Sequence, residues 1–203
     1  MNSNTHTSHR FDTFCRVVAA GDDLQSEAAA LALRPEDETA LIESAQAGSG
    51  ELRWWSVRAL AHVGDAAAAP VIAATLTDAD PAQRAAAALA LGHLGVRQPE
   101  AVAAVLPLLA PHLADDDGFV RKAAVDGFSL CGPAALPALA DVLMHSEHEG
   151  ARTRAACALR ALRNESAAPL LFRFLNDHNH LVHNYCYEAL DDLGLLENVL
   201  LMP

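Results

Sequence analysis

The sequence predicts an all-α fold, a solenoid of about five to six stacked two-helix repeats, and three observations predict it. Ala, Leu and Val dominate a hydrophobic content of 52% in which aromatic residues make up only 5%, a composition whose intrinsic propensities favour helix. Five segments superpose without gaps: RWWSVRALAHVG from Arg53, RAAAALALGHLG from Arg84, RKAAVDGFSLCG from Arg121, RTRAACALRALR from Arg152 and HNYCYEALDDLG from His183. Between them run short apolar stretches, each led by proline. The anchors stand 31, 37, 31 and 31 residues apart, and self-similarity at such a period is the signature of a stacked array.

Taken along the chain, residues 1–10 are polar and read as a disordered tail, and Phe11 to Ala20 as a capping helix. Ser26 to Leu31 with Glu36 to Ile42 read as a degenerate first helix pair, so that 11–48 forms the N-terminal unit. The regular array then occupies 49–203, with repeats starting near 49, 80, 117, 148 and 179. In each repeat, helix A is defined by the columns counted from its anchor. The sixth position is small (Ala59, Ala90, Gly127, Ala158, Ala189) and the seventh large (Leu60, Leu91, Phe128, Leu159, Leu190). With the apolar tenth position they fall on one helical face, the small residues marking where a neighbouring helix comes close.

Four residues before each anchor stand Ser49, Asp80, Asp117, His148 and Asn179. All but His148 are strong N-caps, and Gln83 is placed to complete a capping box with Asp80. The eleventh position is glycine in four repeats and Arg163 in the other, which predicts a left-handed stop. Helices B run from Pro70 to Leu76, Pro107 to Leu113, Pro137 to Leu143 and Pro169 to Leu175, with proline expected at the first helical position. Leu-x-Asp at Asp78, Asp115 and Asp177 marks the turn to the next repeat. About six extra residues around Val96–Pro99 account for the one long interval.

The units, approximately R-x-x-A-x-x-A-L-x-x-L-G followed by P-x-L-x-x-L-x-D, resemble HEAT repeats of the subtype first recognised in phycobilisome lyases. The resemblance covers residues 49 to about 199. It implies a right-handed superhelix whose B helices line a concave face, and it specifies fold far more strongly than function.

That implication makes the outward positions of the B helices the expected binding surface. Asp141, Met144, Phe172, Arg173 and Asn176 form its richer end, and aromatic and Arg side chains anchor interfaces disproportionately. Trp54 and Trp55 break the first and second columns of helix A; two adjacent indoles cannot both face the core, so one is expected at the surface. The apolar end, Leu195 to Pro203, has no polar cap and is a candidate for self-association.

The net charge of −12 and pI near 5.1 disfavour nucleic acid and acidic membranes as partners. No apolar stretch approaches the ~18 residues of a membrane span, and four unclustered cysteines suit a reducing cytoplasm. His145 and His148 in one inter-repeat turn and His178 and His180 in the next are the nearest approach to a metal site. Their spacing matches no standard motif, and no cofactor is expected. Nor is there a phosphate loop, a nucleophile elbow or a Cys-x-x-Cys pair. The expected function is a non-catalytic protein–protein interaction scaffold binding a partner protein through the B-helix face. The alternative is a phycobilin-lyase-like or metal-dependent enzyme, or enzyme subunit, on the same scaffold.

Overall fold

The computed structural model describes residues 8–48 and 50–196. Over this range the chain forms thirteen α-helices joined by short turns, several of them 3-10, with no β-strand among the described residues. The first three are α1 (His9–Ala20), α2 (Asp23–Ala32) and α3 (Glu38–Ala47). The A helices are α4 (Gly50–Val63), α6 (Pro81–Arg97), α9 (Gly118–Leu130), α11 (Glu149–Leu162) and α13 (His180–Asp192). The B helices are α5 (Ala68–Ala74), α8 (Leu106–Leu109), α10 (Leu136–His145) and α12 (Ala168–Arg173), with α7 (Pro99–Ala103) inserted before α8. Each A helix packs on the next, α4 on α6, α6 on α9, α9 on α11 and α11 on α13. The architecture is an α-solenoid.

The buried columns are the repeated ones. Leu60, Leu91, Phe128, Leu159 and Leu190 are essentially inaccessible, as are the small residues beside them. The closest approach is between α6 and α9: a Cβ on Gly92 would lie 2.8 Å from the Gly127 Cα, and one on Gly127 would strike the Ala88 carbonyl. These two glycines serve space rather than backbone torsion.

Helix starts follow from their caps. Asp80 accepts from Ala82 N at 2.9 Å, Asp117 from Phe119 N at 2.7 Å and Asn179 from Leu181 N at 3.0 Å. Ser49 lies outside the described residues. His148 joins the others, its Nδ1 accepting from Ala151 N at 3.1 Å, because an imidazole nitrogen with a free lone pair reaches the same N–H as a carboxylate. Gln83 does not close a capping box. Its amide donates instead to Gly50 O in the preceding repeat, at 2.9 Å. At the N-terminus the polar segment assigned to a tail is already helical from His9, because Ser8 caps α1 by accepting from Phe11 N at 3.1 Å and Arg10 pairs with Asp37 at 3.3 Å.

The glycine column is split. Gly132, Gly194 and the non-glycine Arg163 are left-handed, with φ of 58°, 68° and 47°. Gly95 lies inside α6, which runs on to Arg97, and a Cβ there would come within 2.9 Å of Cys131 Sγ. The extra residues of this repeat thus lengthen α6 and add α7. Arg97, brought back over the previous repeat, donates to Ala61 O and Gly64 O at 3.0 and 2.9 Å, satisfying carbonyls at the end of α4. The prolines of the B helices stand second in α8, α10 and α12 and third in α5 rather than first. The whole first turn lacks intrahelical acceptors for its N–H groups, so each of these positions tolerates proline.

The Leu-x-Asp carboxylates do two things at once. Asp78, Asp115 and Asp177 each accept from the backbone N–H two residues on, and each pairs with the anchor arginine of its own repeat: Arg53, Arg84 and Arg152. At the equivalent place in the third repeat stands Ser146, which keeps the backbone bond to His148 N at 3.2 Å but has no carboxylate to offer. Arg121 there donates to the carbonyls of Asp115 and Asp116.

Candidate functional site

Three helices build a groove on the A-helix side of the array. On α4, Trp54, Arg58 and His62 recur every four residues and form one stripe. Opposite them α6 presents Ala82, Ala86 and Ala90, whose small side chains leave room, with His93 at the far end. From α9, Phe119 in the first turn projects over the near end and is 64% exposed. These residues enclose a slot of about 180 Å³. It opens at Trp54, Arg58, Ala82 and Phe119 into a wider hollow of about 670 Å³, whose further walls carry Leu24 and the acidic residues Asp23, Glu27, Glu51 and Asp80.

The two indoles divide as adjacent helical positions must. Trp55 is buried at 4% exposure and packs edge-on against the half-buried Trp54, ring centres 4.9 Å apart. The Arg58 guanidinium covers both rings, 4.5 Å from one centre and 4.8 Å from the other, a cation–π arrangement that holds the Trp54 plane in place. Glu27 approaches Arg58 at 3.6 Å with both side chains substantially exposed, so this ion pair adds little. At the far end the His62 and His93 rings lie 5.7 Å apart. Partial burial, His93, Arg97 and Arg58 all push the His62 pKa below its ordinary value. In the floor of the wide end Gln83 is 4% exposed and its Oε1 has no hydrogen-bond partner among the described residues.

On the B helices Asp141, Met144, Phe172 and Arg173 are exposed, as is Asn176 in the turn after α12. Arg173 Nη1 approaches Met144 Sδ at 3.4 Å, a contact between adjacent repeats. Met144, Arg173 and Asn176 line a shallow hollow of about 590 Å³ together with His145 and His178. Asp141 bonds His145 Nδ1 at 2.8 Å, and Phe172, 37% exposed, is not part of that hollow.

Of the four candidate metal ligands, His145 is thus engaged with Asp141, His148 caps α11, His178 lies 3.7 Å from Asp177 and His180 opens α13. Among the described residues no three His, Cys, Asp or Glu side chains converge. Burial drives the Cys131 thiol up to about 12, and burial with the Asp177 charge does the same for Cys186, which makes both inert packing residues. The C-terminal self-association surface falls largely on 197–203, outside the described residues.

The sequence singles out Trp54 and Trp55 but not Phe119, Leu24 or Gln83 as members of this groove. The Trp54-Arg58-His62 stripe is legible as an i, i+4, i+8 series. Phe119 carries no such signal, because its column holds Glu51, Ala82, Gly150 and Leu181 in the other repeats.

Residues 38–129 match the family model of HEAT repeats. No curated protein sequence matches the chain. Among solved structures, an engineered protein superposes with a TM-score of 0.52 at 17% identity, over 92% of this chain and 97% of that one, a likeness of fold alone. A chain from the complex of CpcE and CpcF of phycocyanin lyase from Nostoc sp. PCC7120 superposes with a TM-score of 0.50 at 27% identity, over 84% of this chain and 71% of that one. No described helix is long and apolar enough to cross a membrane. The segment that matches the HEAT-repeat model contains α4, α6 and Phe119 of α9, and so the slot between them.

Proposed function

We propose that the protein is a non-catalytic scaffold that binds a segment of a partner protein, and that the Trp54–Phe119 groove is its principal contact. The observation that carries this is the preformed slot. Its volume of about 180 Å³ falls below the roughly 300–1,000 Å³ of ordinary ligand and cofactor pockets, and suits one protruding side chain rather than a chromophore. Its walls are an immobilised indole, a second exposed aromatic ring and an arginine, the residue types that dominate binding energy at interfaces. The likeness to a chain of the CpcE and CpcF complex supports a partner that is itself a protein. The unpaired cysteines, two of them fully packed, support a reducing, cytoplasmic setting. The patch formed by Met144 and Arg173, with Asp141, Phe172 and Asn176 around it, offers a second contact on the B-helix side, favoured by the Arg173–Met144 contact between repeats.

Site-specific photo-crosslinking in lysate from the native source tests the reading. A benzophenone amino acid at Phe119 is expected to capture a discrete partner, and Trp54→Ala is expected to abolish that capture. The same probe at Leu181, equally placed on α13 and 45% exposed, is the control. Equal capture from both positions, or capture indifferent to Trp54→Ala, would overturn the groove as the contact. A probe at Phe172 tests the B-helix patch in the same way.

A further inference from the structure

The groove changes sign along its length. In a chain of net charge −12, the charged or ionisable groups lining the narrow slot are Arg58, His62 and His93, with no carboxylate among its lining residues. The wide end reverses this, with Asp23, Glu27, Glu51 and Asp80 around it. The apolar rings of Trp54 and Phe119 stand where the two ends join. We infer that the groove takes an extended bipolar segment of a partner protein. In that segment an apolar side chain fills the Trp54–Phe119 slot, a carboxylate meets Arg58 and the two histidines, and a Lys or Arg meets the acidic end. This occupant presupposes that the groove is the partner contact, and adds the chemistry of what binds there.

Geometry sets the spacing. From Glu51 at the acidic end, α4 rises about 10 Å to Arg58 and about 17 Å to His62, at 1.5 Å per residue, with Trp54 between them. An extended chain covers those distances in about three to five residues, so the opposite charges of the segment stand about three to five positions apart with the anchor between them.

Energetics favour this occupant over a neutral one. The Arg58 guanidinium lies over the indoles, 4.5 and 4.8 Å from their centres, and its side chain is exposed enough to offer N–H groups to a carboxylate. The Glu27 contact at 3.6 Å is exposed on both sides and exchanges readily. At the slot end the His62 and His93 rings lie 5.7 Å apart with no carboxylate among the slot's lining residues, so an arriving carboxylate can accept from their ring N–H groups. In the wide end the bond from the Gln83 amide to Gly50 O fixes that side chain in the wall of the hollow.

Three synthetic peptides test the inference on the full chain at low ionic strength: acetyl-Lys-Ser-Phe-Ser-Glu-amide, its Ser-Ser-Phe-Ser-Ser analogue and its Lys-Ser-Phe-Ser-Lys analogue. Binding is read from the Trp54 indole N–H resonance, assigned by its loss in Trp54→Phe. The bipolar peptide is expected to bind about tenfold more tightly than the neutral one, the sum of two exposed ion pairs. The doubly basic peptide is expected to be the weaker of the two charged peptides, and Arg58→Gln, with an unchanged melting temperature, to remove the advantage of Glu. Equal affinity of the bipolar and neutral peptides, both perturbing Trp54, would overturn the bipolar reading and leave the groove as a contact. Failure of all three to perturb Trp54 at millimolar concentration would overturn the groove reading with it.

Discussion

Arg84 and Asp115 meet through two hydrogen bonds, Nε to Oδ2 at 2.9 Å and Nη2 to Oδ1 at 2.8 Å, with both side chains more than four-fifths buried. The arginine belongs to helix A of its repeat and the carboxylate to the turn after helix B, so this one pair closes the repeat upon itself. Asp115 also accepts from Asp117 N at 3.0 Å, at the start of the next helix A. The pair therefore couples packing within a repeat to the initiation of the one that follows.

Removing the carboxylate leaves a nearly buried guanidinium without its partner. Asp115→Ala is expected to cost about 3 kcal/mol, a fall in melting temperature on the order of 10 °C. The pH dependence follows the same chemistry. The hydrogen bond from Arg84 holds the Asp115 carboxyl below its usual range, and the backbone N–H of Asp80, with Arg53, does so for Asp78. A depressed folded-state pKa gives stability that is present above the unfolded value near about 3.9 and is lost as pH falls through the folded value. Melting temperatures measured from neutral to acid pH should therefore fall most steeply below about pH 4, and less so for Asp115→Asn.

Ser146 occupies the place of Asp78, Asp115 and Asp177 and leaves Arg121 without the carboxylate that its counterparts pair with. Ser146→Asp is expected to raise stability by about 0.5 kcal/mol, as a partly exposed ion pair does. Adding Arg121→Ala should erase the gain, and a double-mutant cycle measured by denaturant unfolding checks the pairing directly.

Arg163 is the described non-glycine residue with positive φ, at a column that is otherwise glycine. A Cβ in this conformation costs about 1–2 kcal/mol, so Arg163→Gly is expected to stabilise the protein by about 1 kcal/mol. Arg163→Ala retains the Cβ and should leave the strain in place; comparison of the two denaturation midpoints decides it.

Much of the fold is legible residue by residue because stacked repeats bury the same columns each time. The Ala59–Leu60 series, the Asp80, Asp117 and Asn179 caps and the proline-led B helices all rest on local chemistry that a single repeat contains. Where expectation and structure part, a neighbouring repeat most often intervenes. The column pattern places Gly95 at a helix stop, yet this glycine makes room for Cys131 of the next helix. Gln83 stands where a residue would cap its own helix, and reaches back to Gly50 instead. His148, the weakest of the five caps by residue type, serves as one all the same.

The candidate site divides along the same line. Trp54 and Trp55 stand out because they break their columns, and helical geometry alone requires that they face different ways. Phe119 lies two repeats further along the chain, and it closes the slot over Trp54 only because α9 stacks on α6.

What the sequence by itself determined is the repeating unit: which columns are buried, where the A helices begin, and that the chain stacks rather than folds into a single layered core. These follow from periodicity, since a 3.6-residue helix turns the recurring columns to one side. The tertiary structure alone decided how one repeat meets the next, and with it the Arg–Asp closure, the Gly92–Gly127 contact and the sign-changing groove between α4, α6 and α9. Those depend on distances between residues far apart along the chain, which only the packing of neighbouring helices establishes.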